Sequence, residues 1–126
     1  MNFYNPIFFS PNRVWRLYTG GKLLDRFRNE KQEPDGHFPE EWLASTVPAY
    51  NGEHAQSDDE GLAKVVMEEM EGQTLLELLE NFGSEILGEN HYRKYGENTA
   101  LLCKYPDSAV RLPIQCHPDI PTAQRL

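Results

Sequence analysis

Long apolar runs are missing. No hydrophobic stretch approaches the roughly 20 residues that a membrane-spanning helix requires, so no membrane partner is expected. Positive charge is also scarce, with 12 Lys and Arg against 20 Asp and Glu and a net charge of -8. Nucleic acid and anionic membrane surfaces both demand an electropositive face, and this composition argues against either. A small anionic ligand remains compatible, because a phosphate needs only one or two local cations. Cysteine is sparse: Cys103 and Cys116 stand alone, without the spaced framework of a disulfide-stapled domain. They read as buried free thiols of a reducing compartment, which points to a cytoplasmic protein. The opening MNFYNPIFF has no cationic leader, so no secretory signal is expected.

What is present fits one globular domain. The 126 residues are 39% hydrophobic and 25% charged, enough for a single core and too few for two. Residues 1–20 are aromatic, and Pro6 and Pro11 forbid a continuous helix, so short extended pieces are expected. Pro34-Asp35-Gly36 marks a turn within a loop over residues 29–39. The segment EEWLASTVPAY reads as a strand, with Trp42, Ala44 and Thr46 on one side and Leu43, Ser45 and Val47 on the other. Residues 51–61 are polar and read as an exposed loop.

The clearest element is a helix from Leu75 to Phe82. Thr74 and Glu77 form a capping box, Leu75, Leu78, Leu79 and Phe82 recur on one face, and Gly83 can stop the run. After a polar stretch from Glu85 to Asn98, TALLCKY and SAVRLPIQCH read as short strands joined through Tyr105-Pro106-Asp107.

The stretch LPIQCHPD carries the most suggestive chemistry. Gln115 and His117 lie two apart, so an extended backbone turns both side chains to one face and Cys116 to the other. An imidazole and an amide oxygen suit zinc, although two ligands do not complete a site. An ordinary strand-end histidine is the competing reading. Lys104 within LLCKY either snorkels to solvent or faces a wet cavity. Of the adjacent Glu40 and Glu41, only one should face inward on an extended strand; a solvated acidic pair is the alternative. His37, His54 and His91 read as loop histidines, and Arg13, Arg16 and Arg111 as surface or ion-pairing residues.

Three segments in order, NPIFFSPNRVWRLYTGGKLL, PEEWLAS and LLCKYPDSAVRLPIQCHPD, resemble the class I mannose-6-phosphate isomerase family, zinc enzymes of cupin or jelly-roll architecture. The resemblance implies a mainly β fold: a partial cupin domain with one short packed helix. It implies a zinc cofactor held by Gln115 and His117, with Lys104 near a sugar phosphate and Glu41 lining the pocket. The remaining ligands, a glutamate and a histidine, and a catalytic arginine would lie beyond Leu126. Residues 1–126 would then be the N-terminal part of a longer isomerase interconverting mannose 6-phosphate and fructose 6-phosphate. Pro113 departs from the family, which tends to have serine two positions before the ligand glutamine. That departure favours the alternative of a non-catalytic cupin binding a sugar or sugar phosphate. A structural domain without metal is the third reading. A sheet cut short would expose its edge, so pairing with another copy, or poor behaviour in isolation, is also expected.

Overall fold

The computed structural model describes residues 3–126. Among them, three strands form one open antiparallel sheet in the order β1-β2-β3: Arg13–Val14, Glu40–Leu43 and Cys103–Pro106. Four α-helices accompany it among the described residues: α1 (Lys22–Phe27), α2 (Leu75–Leu87), α3 (Glu89–Tyr95) and α4 (Ile120–Ala123). With 29% of residues helical and 15% in strands, the fold is mixed α/β, and the expectation of a mainly β jelly roll is overturned. The sheet does not close. Its strands are 2 to 4 residues long, and the second expected C-terminal strand, SAVRLPIQCH, is exposed coil after an isolated bridge between Gly20 and Ser108.

Two hydrophobic clusters lie beneath α2, while Val14 and Trp42 are buried on the sheet and Leu24 on α1. Leu75, Leu78 and Leu79 pack on Ala63, Val65 and Met70, and Phe3, Ile7, Phe9 and Phe82 close the cluster. Residues 63–66 are threaded between two neighbours. Phe9 bridges Val65 and Lys64 bridges Thr74, while Ser10 and Val66 donate to the carbonyls of Lys64 and Phe8. The N-terminal segment is therefore extended around Phe9 and anchored by Phe3, Ile7 and Phe9, while Tyr4 and Phe8 stay exposed.

The capping box forms as the sequence indicates. The Glu77 amide donates to Thr74 Oγ1 at 3.2 Å, and the Thr74 amide donates to Glu77 Oε2 at 2.7 Å. Gly83 does not stop the helix, which kinks at Phe82 and runs on to Leu87. Its glycine has a different cause. A Cβ at position 83 would lie 2.3 Å from Tyr92 Cε2, so the missing side chain lets α3 pack against α2. The polar stretch from Glu85 to Asn98 thus contains a helix, α3.

Helix α1 has only 6 residues and no side-chain cap of its own, too few to persist in isolation. Its first amides are satisfied from afar: Asp107 Oδ2 accepts from Gly21 at 3.1 Å and from Leu23 at 2.7 Å. The Asp107 carbonyl also accepts from Gly21. Asp107 follows β3 directly, so one residue fixes the start of α1 against the end of the sheet. Among the described residues, no helix is long and apolar enough to cross a membrane.

Candidate functional site

Antiparallel register divides the sheet into two charged faces. Glu41 is opposite Arg13 and Tyr105, while Glu40 is opposite Val14 and Pro106. Adjacent strand residues point to opposite sides, so these carboxylates lie back to back across β2. Both are 4% exposed. The expectation that only one could be inward, the other being solvated, gives way to two buried carboxylates, each with its own cations.

On the first face Glu40 is a hub. Tyr18 Oη donates to it at 2.6 Å, Trp42 Nε1 at 2.8 Å, Arg16 Nε at 3.1 Å and Lys104 Nζ at 3.1 Å. Burial alone would raise its pKa, but the hydrogen bonds from Tyr18, Trp42 and Lys104 and the charge of Arg16 prevail and hold it at about 2. Tyr18 is shifted upward, first by burial and then by its bond to the Glu40 carboxylate. The Arg16 guanidinium also stands 4.8 Å from the centre of the Trp42 ring. Glu40 therefore remains charged at neutral pH and has little capacity to take up a proton.

On the second face the Arg28 fork grips both oxygens of Glu41. Arg13 Nε is 3.9 Å from Glu41 and also pairs with Asp25. The ion-pairing roles read for Arg13 and Arg16 are realised here. Arg28, Asp25 and Tyr18 were not distinguished in the sequence, because the residues that explain them lie on other elements.

The histidines have other uses. Trp15 stacks on His54 with centroids 4.2 Å apart and on His37 at 5.5 Å, and His91 Nε2 meets the Asn98 carbonyl. Gln115 and His117 are exposed on coil, and Cys116 between them is exposed rather than packed. Cys103 is exposed too, which corrects the expectation of two buried thiols. Among the described residues, no group of three or more His, Cys, Asp or Glu side chains could hold a metal ion. The zinc cofactor expected at Gln115 and His117 is therefore withdrawn: the pair has no carboxylate or imidazole to complete its shell, and Glu40 and Glu41 are committed to cations.

An open concave surface lies between α1 and β3. Two adjoining cavities of about 290 and 300 Å³ share Leu24, Phe27 and Tyr105 as walls. Leu43 and the Arg28–Glu41 pair lie at one end, and Leu23, Pro106 and Asp107 at the other. Phe27 and Tyr105 meet edge to face at 5.5 Å.

No protein family, curated protein or solved structure matches the chain. The resemblance to class I mannose-6-phosphate isomerases is overturned. The sheet is open where a cupin barrel would close, and neither a metal cluster nor a matching family supports isomerase activity or any enzymatic identity drawn from it. The non-catalytic cupin alternative falls with the barrel. Lys104 and Glu41, the two residues assigned to substrate by that resemblance, lie on neighbouring strands but on opposite faces, each facing a charged partner within the chain.

Proposed function

We propose that the chain is a non-enzymatic association module whose contact surface is the apolar cleft between α1 and β3. One observation carries this reading: Phe27 is 74% exposed and Tyr105 46% exposed, although together they flank cavities large enough for a ring. Leaving Phe27 in water forgoes up to roughly 1.5–3 kcal/mol that a partner could recover by burying it, and half-buried Tyr105 less. The polar groups at the cleft are mutually satisfied: Arg28 holds Glu41, and the Asp107 carboxylate holds the start of α1. The cleft thus offers shape and apolar surface, with little unpaired charge to polarise a substrate.

The test is a titration of the isotopically labelled protein with p-cresol, a stand-in for a tyrosyl side chain, followed through the backbone amides. Saturable shifts confined to Leu24, Phe27, Leu43 and Tyr105 are expected. Shifts spread over α2 and the 63–66 segment, or no saturable shift at all, would remove the reading.

A further inference from the structure

We propose that His54 is a proton-operated latch: its ring, stacked on Trp15, closes a flap of residues 52–55 over the stretch that follows β1. The latch shares no residue with the α1–β3 cleft and goes beyond the association reading.

The flap is hinged at both ends by one buried carboxylate. Glu60, 7% exposed, accepts from Asn51 Nδ2 at 3.0 Å and from the Gln56 amide at 2.8 Å. It also accepts from the Trp15 amide at 2.6 Å, which places Trp15 beside the hinges. Between the hinges the turn Gly52–His54 buries none of its residues. What reaches across is the His54 ring, 4.2 Å from the Trp15 ring and inclined to it by 8°.

His37 stacks on the same indole, at 5.5 Å and 24°, but it is the fixed contact. The Arg16 amide donates to the His37 carbonyl at 2.8 Å, and neighbouring Gly36 exchanges amide bonds with Gly20. His37 Nδ1 lies 2.9 Å from the Arg16 carbonyl, which can only accept, so that nitrogen carries the hydrogen. The His54 ring has the Trp15 face and, at 3.9 Å, the Glu53 carboxylate, so its departure costs no buried hydrogen bond.

Charge makes the stack responsive. Imidazole is the side chain that changes charge near neutrality, and both histidines are exposed to solvent protons. A neutral ring holds the indole by ring contact alone, whereas an imidazolium is also drawn to its electron-rich face. The carboxylates at the stack favour a cation: Glu53 beside His54, and Glu60 bonded to the Trp15 amide. Arg16 opposes them through Nη1 bonds to the Trp15 carbonyl and Asn51, yet its Nε is paired with Glu40. On the rest of the loop Asp59 is held by Lys64 and Asp58 is exposed, while Asp35 near His37 accepts the Lys22 amide. Protonation therefore tightens the flap, and loss of the proton loosens it.

Amide hydrogen exchange of the 126-residue chain at pH 5.5 and pH 8 tests the latch, with rates corrected for their intrinsic pH dependence. The His54 and Ala55 amides are bonded within the turn to Asn51 and Gly52. They should be about two- to fivefold better protected at pH 5.5. His54→Phe keeps a stacking ring without a charge, so its protection should not change with pH. His54→Ala should give low protection at both values, and His37→Ala should leave the response in place. Equal protection of the wild-type amides at the two pH values overturns the latch, as does an undiminished response in His54→Phe or His54→Ala. Loss of the response in His37→Ala would overturn the assignment of His54 as the moving ring. The α2 amides, outside the flap, report whether a variant has lost its fold; should His54→Ala do so, His54→Phe decides alone.

Discussion

Gly83 and Tyr92 hold α2 and α3 together by the absence of a side chain at one and the presence of a ring at the other. A Cβ at position 83 would sit 2.3 Å from Cε2 and 2.5 Å from Cδ2 of that ring. Gly83→Ala should therefore displace Tyr92. Overpacking costs about 1–3 kcal/mol, and the better helix propensity of alanine returns up to about 1 kcal/mol. A net loss of about 0.5–2 kcal/mol is expected in urea unfolding. In a Tyr92→Ala background the same substitution should become neutral or stabilising. A loss that persists without the ring would show that the glycine serves some other purpose.

Acid sensitivity follows from Glu40. Its folded pKa of about 2 lies below the ordinary value of 4.5. The ionised carboxylate thus contributes stability that is complete above pH 4.5 and is lost as pH falls toward 2. The difference is worth on the order of 3 kcal/mol. Glu40→Gln should cost about 2–4 kcal/mol at pH 7, because it removes the charge that Arg16 and Lys104 face and turns one of the two acceptor oxygens into an amide donor among Tyr18, Trp42, Arg16 and Lys104. Its stability should also fall less steeply than wild type between pH 4.5 and 2. Urea midpoints at several pH values would measure both effects, and parallel acid profiles would exclude Glu40 as the group responsible.

How much of this was legible in the sequence depended on distance along the chain. The α2 start was readable because Thr74 and Glu77 complete each other within one turn. The extent of that helix was misread because the reason for Gly83 lies nine residues on, at Tyr92. Helix α1 was missed altogether: its cap is Asp107, and no local pattern around Lys22–Phe27 announces it. In PEEW, alternation correctly separated Glu40 from Glu41, but the neutralising Arg16, Arg28 and Lys104 come from other elements. The Gln-x-His spacing suggested a strand and a metal where the chain is exposed coil, because spacing alone brings no further ligands to the pair. The same limit applied to the cleft, whose Phe27 and Tyr105 are 78 positions apart.

Gly20 offers a sharper test of the seam between α1 and the sheet. It exchanges backbone hydrogen bonds with Gly36 and also bridges Ser108. A Cβ there would fall 1.8 Å from the Asp107 carbonyl oxygen, a backbone atom that cannot swing aside. Gly20→Ala should cost at least about 2 kcal/mol and should increase amide exchange at Gly21 and Leu23, whose shared acceptor is Asp107. Wild-type protection at those amides would refute the seam.

The bond between Asp107 and Gly21 spans 86 positions, and this separation has a temporal meaning during synthesis. At about 5–20 residues per second, roughly 4–17 s pass between the making of α1 and the making of its cap. Over that interval Leu23, Leu24 and Phe27 belong to a six-residue segment with no reason to be helical, while the α2 core, built almost wholly from residues 3–87, already has its parts. A nascent chain interrupted before residue 107 would present a formed helical core carrying an unstructured apolar stretch. That stretch is the natural target for a chaperone that reads extended hydrophobic peptide.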